Sequence, residues 1–596
     1  MTTIHSDRDG EVTEKMAENI AKLEQLSTRL ITAVSGKRQV PQSLQVPGSD
    51  LYMKAMGAWT AEAMANPAKI FEHQIEYWGK ALTQYVEAQH KMVRGDFTPI
   101  EDRTGNDRRF AGELWSRHPF FNYIKQQYLI SSQAIAQAVD DLEGLSAVDR
   151  KRLRYFSEQI VNMMSPTNFL GTNPEALNRA VETEGQSLVD GLENLVRDLE
   201  ANDGELLVTL ADKNAFEVGR NIATTPGKVV FRNRMFELIQ YAPTTEQVHR
   251  TPLVIFPPWI NKFYILDLKE KNSLVKWIVD QGFTLFVVSW VNPDPSYSDV
   301  SLDDYIEEGF LEAISQVQEI SGEEQVNAVG YCIAGTTLSL ALGLLEKRGR
   351  KTVKSATFFT TLTDFSDRGE VGVFLEDDFV DGIEREVERH GILDSFYMTR
   401  TFSFLRSNDL IYGPAIRSYM MGEAPPAFDL LYWNGDGTNL PAKMAIEYLR
   451  GLCQEDRFAT EGFEVLGERV HISDVKVPLM AIACESDHIA AWRSSFRGMQ
   501  KMGSRSKTFV LSESGHIAGI VNPPSKKKYG HYVNGDWKGS PDDWQQAAEF
   551  HEGTWWGRWG EWLARKSGKK VDARIPGADR ETLGDAPGTY VLSHTP

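Results

Sequence analysis

Gly330-Tyr331-Cys332-Ile333-Ala334-Gly335 is the stretch on which the reading of this chain turns. It follows the apolar run Gln325-Val326-Asn327-Ala328-Val329 and precedes Thr336-Thr337-Leu338-Ser339-Leu340-Ala341-Leu342. That order spells a buried strand, a tight turn and a helix, with a cysteine at the tip of the turn. Small residues on either side let strand and helix pack closely around a strained, exposed nucleophile. A thiol there points to thioester exchange, because an acyl group keeps its activation on sulfur and loses it on a serine hydroxyl.

Working outward, short apolar runs predict strands at 229–231, 253–256, 284–289, 326–329, 356–359, 479–483 and 508–511. Leu285-Phe286-Val287-Val288 is apolar without alternation, as expected of a strand covered by helices on both faces. A mostly parallel sheet follows. Two of these strands run into loops that complete a catalytic set. Pro478-Leu479-Met480-Ala481-Ile482-Ala483-Cys484 leads to Glu485-Ser486-Asp487-His488-Ile489, and Thr508-Phe509-Val510-Leu511 leads to Ser512-Glu513-Ser514-Gly515-His516-Ile517-Ala518-Gly519. Nucleophile, acid and histidine, in that chain order, are the signature of an α/β-hydrolase fold.

The expected catalytic residues are Cys332, Asp487 and His516. A free thiol with a pKa of about 8.5 is mostly protonated at neutral pH, so an imidazole must take its proton. Asp487 then holds that imidazole in the useful tautomer. His488 adjoins Asp487 on one turn and is poorly placed to reach the cysteine with it, and Glu485 lies earlier in the same loop. The backbone N–H of Ile333 is the first expected oxyanion donor. The second is expected from Phe256-Pro257-Pro258-Trp259-Ile260-Asn261-Lys262, with the N–H of Ile260 nominated within it. Cys453 and Cys484 read as buried small hydrophobes. Lys526-Lys527-Lys528 reads first as a solvated loop and second as a contact for the phosphates of an acyl-CoA.

Residues 1–204 are rich in Gln, Glu, Ala, Lys and Leu at helical spacing and predict a mostly helical N-terminal domain. Residues 205–596 form the catalytic domain. Within it the strand–helix rhythm lapses, and about 364–439 is expected to be a cap or lid over the site. The stretch 51–92 is amphipathic, with Met53, Met56, Trp59, Met64, Phe71, Ile75, Trp78, Leu82 and Tyr85 among polar residues. It reads first as helices packing on protein and second as an apolar face for a lipid or polymer surface.

A net charge of −19 argues against sequence-independent nucleic-acid binding, which needs a basic surface. Three cysteines without metal-ligand spacing suit a reducing cytoplasm, and neither a signal peptide nor a membrane span is expected. No cofactor or metal is expected.

These residues resemble the polyhydroxyalkanoate synthases, and the single-subunit class I type in particular. The family's box is Gly-x-Cys-x-Gly-Gly, and this chain matches it except at Ala334. Further matches are Pro257-Pro258-Trp259-Ile260-Asn261-Lys262-Phe263-Tyr264, Ser289-Trp290-Val291-Asn292-Pro293 (with Val291 where many members have arginine), Phe428-Asp429-Leu430-Leu431-Tyr432-Trp433-Asn434, Thr438-Asn439-Leu440-Pro441, and Asp107-Arg108-Arg109-Phe110 with Trp115. Gly515-His516-Ile517-Ala518-Gly519 also fits. The resemblance implies that (R)-3-hydroxyacyl-CoA is polymerised into polyester through an acyl group on Cys332, with release of CoA. It also implies a homodimer, attachment to polyhydroxyalkanoate granules in the cytoplasm, phasins as possible partners, and a bias toward short acyl chains. A thioesterase or polyester depolymerase with a cysteine nucleophile on the same fold is the alternative.

Overall fold

The computed structural model describes residues 5–37, 44, 49–96, 98 and 107–593. Two compact units emerge: Met1–Asp212 with Arg400–Pro426, and Lys213–Thr399 with Ala427–Pro596. The division thus falls at 212/213 where the sequence suggested 204/205. Residues 400–426, inside the segment expected as a cap, belong with the helical unit.

The first unit is built from α1 (His5–Ser35), α2 (Ser49–Ala65), α3 (Pro67–Arg94), α4 (Pro119–Asp140), α5 (Ala147–Met163), α6 (Pro174–Glu182) and α7 (Gln186–Ala201). Local rules start the helices. Ser146 caps α5 by accepting the N–H of Asp149, and Asn173 caps α6 ahead of Pro174. α1 lies along α7 through Leu26, Val189 and Val196, and Arg29 bonds Glu200 at 2.9 and 2.6 Å. The Asp107-Arg108-Arg109-Phe110 motif is an internal brace. Arg109 bonds Asp107, the Tyr128 hydroxyl and Asn162, while Phe110 meets Trp115 edge to face. Residues 400–426 dock here because Asn194 donates to the Ser418 carbonyl and Tyr419 donates to Asp198 at 2.7 Å. Gly191 admits that docking, since a Cβ there would sit 2.1 Å from the Tyr419 carbonyl oxygen.

α2 and α3 bury Leu51, Ala81 and Ala88 but leave most of their large apolar side chains outside. Met53, Met64, Ile75 and Trp78 are 72, 79, 71 and 66 % exposed. Among the described residues no helix is long and apolar enough to cross a membrane.

The second unit is organised by one sheet of β1 (Gly227–Arg232), β2 (Phe236–Tyr241), β3 (Gln247–Phe256), β4 (Phe283–Trp290), β5 (Val326–Tyr331), β6 (Val353–Phe359), β7 (Leu479–Cys484), β8 (Lys507–Ser512), β9 (His531–Val533), β10 (Glu549–His551) and β11 (Lys570–Asp572). Its order is β1-β2-β4-β3-β5-β6-β7-β8-β9-β10, with β11 on β3. The run β4-β3-β5-β6-β7-β8 is parallel; β1, β2, β9, β10 and β11 pair antiparallel. This is the α/β-hydrolase architecture with antiparallel margins. Every residue of β4, β5 and β7 is buried, which accounts for their unbroken apolar runs. Each large aliphatic or aromatic side chain buried in these strands contributes about 1.5–3 kcal/mol relative to leaving it exposed.

Helix α8 (Ile333–Lys347) follows β5 directly and is buried from Ala334 to Leu345. It is therefore apolar nearly all round, a central helix with no solvent face. The rest of the expected cap, 364–399 and 427–439, stays in the second unit, including a helix at Asp377–His390 and a two-residue pairing of Ile392–Leu393 with Leu440–Pro441.

Candidate active site

Cys332 sits between β5 and α8 with φ 55° and ψ −125°, a left-sided conformation that L residues rarely adopt. The strain persists because β5 and α8 meet at van der Waals limits around it. A Cβ on Gly330 would lie 2.5 Å from the Gly335 Cα, and one on Gly335 would lie 2.0 Å from the Thr361 hydroxyl oxygen. The tight position is thus Gly335, and Ala334, though fully buried, is not the residue on which the closest approach depends. Cys332 is partly exposed, whereas Cys453 and Cys484 are buried and burial pushes both thiols up in pKa.

The parallel order of β5, β6, β7 and β8 sends their carboxyl ends to one rim, so the loops after β7 and β8 converge on Cys332. The two loops are tied together, with Glu485 N–H donating to the Ser512 carbonyl and Ser486 N–H to that of Ser514. Asp487 has a fully buried side chain whose Oδ1 accepts the N–H groups of Ile489 and Ala490 at 2.8 and 2.9 Å. Its Oδ2 is 2.7 Å from His516 Nδ1. That bond fixes the proton on Nδ1 and leaves Nε2 for the cysteine. Glu485 instead accepts from Gln545, and His488 is half-buried beside Asp487.

Burial alone would lower the pKa of His516, but Asp487 and then Cys332, through charge and hydrogen bonds, outweigh it and raise it well above the ordinary value. The imidazolium is favoured here. Tyr331 backs the histidine: its ring stacks on the imidazole at 5.9 Å and its hydroxyl donates to the His516 carbonyl at 3.3 Å. The loop itself needs Gly519, because a Cβ there would meet Cys484 Sγ at 2.4 Å. Trp555 and Trp556 then donate to the Gly519 and Ile520 carbonyls.

The N–H groups of a helix's first turn have no acceptor within the helix, and Ile333 opens α8 immediately after Cys332. The loop 257–262 leaves β3 at Phe256, which is paired with Gly330. It is pinned at nearly every residue. Trp290 donates to the Pro257 carbonyl at 2.8 Å, Trp259 to Thr337 of α8 at 3.4 Å, Thr438 N–H to the Ile260 carbonyl at 3.1 Å, and Trp433 to the Lys262 carbonyl at 2.7 Å. Trp259 also packs on Tyr305 and Tyr448. The stretch bearing Ile260 N–H is therefore rigid. Tyr331, Trp433 and Thr438 escaped the functional reading of the sequence, although Trp433 and Thr438 lie in stretches already recognisable there.

The Lys526–Lys528 side chains are exposed, on a loop that Asn522 ties back by donating to the Lys528 and Tyr529 carbonyls. A neighbouring cleft of about 720 Å³ includes Pro524, Ser525, Lys271, Lys276 and Trp277. Lys276 there is paired with Asp280.

Residues 106–278 match the family described as "Poly-beta-hydroxybutyrate polymerase (PhaC) N-terminus", and residues 252–523 match the alpha/beta hydrolase fold. The chain is 42 % identical over 531 residues to the poly(3-hydroxyalkanoate) polymerase of Methylorubrum extorquens, covering 89 % of this chain and 87 % of that one. It is 38 % identical over 584 residues to the poly(3-hydroxyalkanoate) polymerase subunit PhaC of Rhizobium meliloti (strain 1021), covering 97 % and 95 %. To the PhaC subunit of Cupriavidus necator it is 40 % identical over 496 residues, covering 82 % and 83 %.

Proposed function

Because the chain belongs to the poly(3-hydroxyalkanoate) polymerase family, we propose that it polymerises (R)-3-hydroxyacyl-CoA into polyester through an acyl-enzyme on Cys332. The observation that carries the residue assignment is the Asp487–His516 bond of 2.7 Å, with Cys332 held at a strained turn and contributing to the raised pKa of His516.

The steps follow from these positions. His516 Nε2 takes the thiol proton, and the Cys332 thiolate attacks the carbonyl carbon of the acyl-CoA. The N–H groups of Ile333 and Ile260 meet the oxyanion. The bond to the CoA sulfur breaks, and that sulfur leaves with the proton from His516. The 3-hydroxyl of another unit then loses its proton to His516 and attacks the Cys332 thioester. An ester bond forms, the carbon–sulfur bond breaks, and Cys332 regains its proton. Asp487 keeps the imidazolium favourable throughout.

The finer assignments are a class I enzyme with a short-chain preference, a homodimer, and attachment to granules with phasins as neighbours. The exposed apolar side chains of α2 and α3 support the granule contact, since a polyester surface offers them the burial they lack in the chain alone. Purified protein given 3-hydroxybutyryl-CoA tests the reaction: CoA release together with insoluble polymer is expected. CoA with free 3-hydroxy acid and no polymer would replace the synthase reading by a thioesterase.

A further inference from the structure

We propose that Lys262 is a positioning residue for the oxyanion loop, and that the segment Thr589–Ser593 is the clamp through which it acts. This rests on the reading of Ile260 as an oxyanion donor to an acyl group on Cys332. Lys262 lies two residues beyond Ile260 and is only 3 % exposed. A buried ammonium needs acceptors, because its lost hydration is otherwise uncompensated. Its Nζ donates to the main-chain carbonyl of Ser593, and Asn292 reaches the same carbonyl at 3.4 Å. Asp436, which accepts from the Tyr264 hydroxyl at 2.9 Å, supplies negative charge close to the ammonium.

The clamp is itself anchored firmly. The buried carboxylate of Glu237 on β2 accepts the N–H groups of Thr589 and Tyr590 at 2.8 and 2.9 Å and the Thr589 hydroxyl at 2.9 Å. The Tyr590 hydroxyl donates to the Asn233 carbonyl at 2.7 Å, and Val591 is fully buried. Gly588, at φ 83°, lets the chain pass, since a Cβ there would meet Glu237 Oε2 at 2.3 Å. Lys262 is thereby held from two directions: Trp433 takes its carbonyl and Ser593 takes its side chain. The peptide units just before it inherit that rigidity. A segment far from Cys332 in sequence thus fixes the donor geometry beside it.

The test uses the full-length chain with Lys262→Met and Lys262→Arg. Two rates on Cys332 are compared at pH 7: acylation, followed as the first burst of CoA from 3-hydroxybutyryl-CoA, and alkylation by iodoacetamide. Alkylation needs the thiolate and His516 but no oxyanion donor, so it separates positioning from general damage. For Lys262→Met we expect acylation to fall about 10- to 100-fold while alkylation and KM stay within about twofold, and Lys262→Arg to recover most of the loss. Acylation within about twofold of the parent in Lys262→Met, or a parallel fall in both rates, would overturn the proposal. Failure of the underlying reading looks different: Cys332→Ala would still acylate, or the parent would release CoA without polymer.

Discussion

Replacing Gly330 with alanine adds one methyl group where β5 and α8 meet backbone to backbone. The new Cβ would lie 2.5 Å from Gly335 Cα, 3.0 Å from Gly335 N and 3.1 Å from the Ala334 carbonyl oxygen. All three are backbone atoms, so no side chain can swing aside. Restoring ordinary contact requires β5 and the first turn of α8 to separate by about 1 Å, and overpacking of this kind costs about 1–3 kcal/mol. Cys332 rides on that turn while His516 is held by other loops, so the thiol moves against its base. A misplacement of about 1 Å is worth roughly 100-fold in rate. Urea denaturation and CoA release from 3-hydroxybutyryl-CoA measure the two effects. Ala334→Gly is the control: it loses a buried methyl and some helix propensity, about 1 kcal/mol each, but leaves the contact intact. Its rate should stay within about threefold of the parent. Gly330→Ala turning over within that same range would refute the claim that this contact sets the geometry.

Asp487→Asn removes the charge that does most to raise His516, so the imidazole pKa should fall and the rise of Cys332 alkylation with pH should move to higher pH. Because His516 is raised in the folded protein, its contribution to stability is full below the unfolded value of about 6.5 and is lost as pH rises through the raised value. The difference in melting temperature between parent and Asp487→Asn should accordingly be larger at pH 6 than at alkaline pH; a difference that grows with pH would contradict this linkage. His516→Gln should slow alkylation at pH 7 toward that of an ordinary thiol, of which only about 3 % is ionised; an unchanged rate means that another group activates Cys332. Charging the apolar face with Met56→Glu, Ile75→Glu and Trp78→Glu together should release the protein from isolated polyester granules in a sedimentation assay while CoA release from soluble substrate persists. Retention of full granule binding would remove α2 and α3 from that role.

The seven strands read from apolar runs all lie within strands of the sheet, and in β4, β5 and β7 full burial on both faces accounts for the unbroken apolar signature. Phe236–Tyr241 was passed over although all six residues are buried. Its Glu237 and Gln240 look like solvent-facing residues until their partners are known, and those come from Arg232, Thr589, Tyr590 and Arg574. The order of Cys332, Asp487 and His516 was readable because parallel strands send successive loops to one rim. The pins on 257–262 were not, since Trp433 and Ser593 lie 171 and 331 residues from Lys262. Helical spacing likewise shows which residues share a face without showing what that face meets. That is why packing on protein was the first reading for the apolar side chains of α2 and α3, while 400–426 fell within the expected cap because a lapse in strand–helix rhythm marks an insertion without showing which unit it joins.

Tyr331 and His516 are 185 residues apart, and the histidine's loop is further secured by groups that come later still, Trp555 and Trp556. Cys332 therefore spends its time on the ribosome as an unremarkable thiol, without base, acid or oxyanion donors. A nascent chain that reacted early with an acyl-CoA would carry an acyl group into its own folding. The spacing of the site along the polypeptide acts as a timer, and reactivity arrives only with the completed sheet.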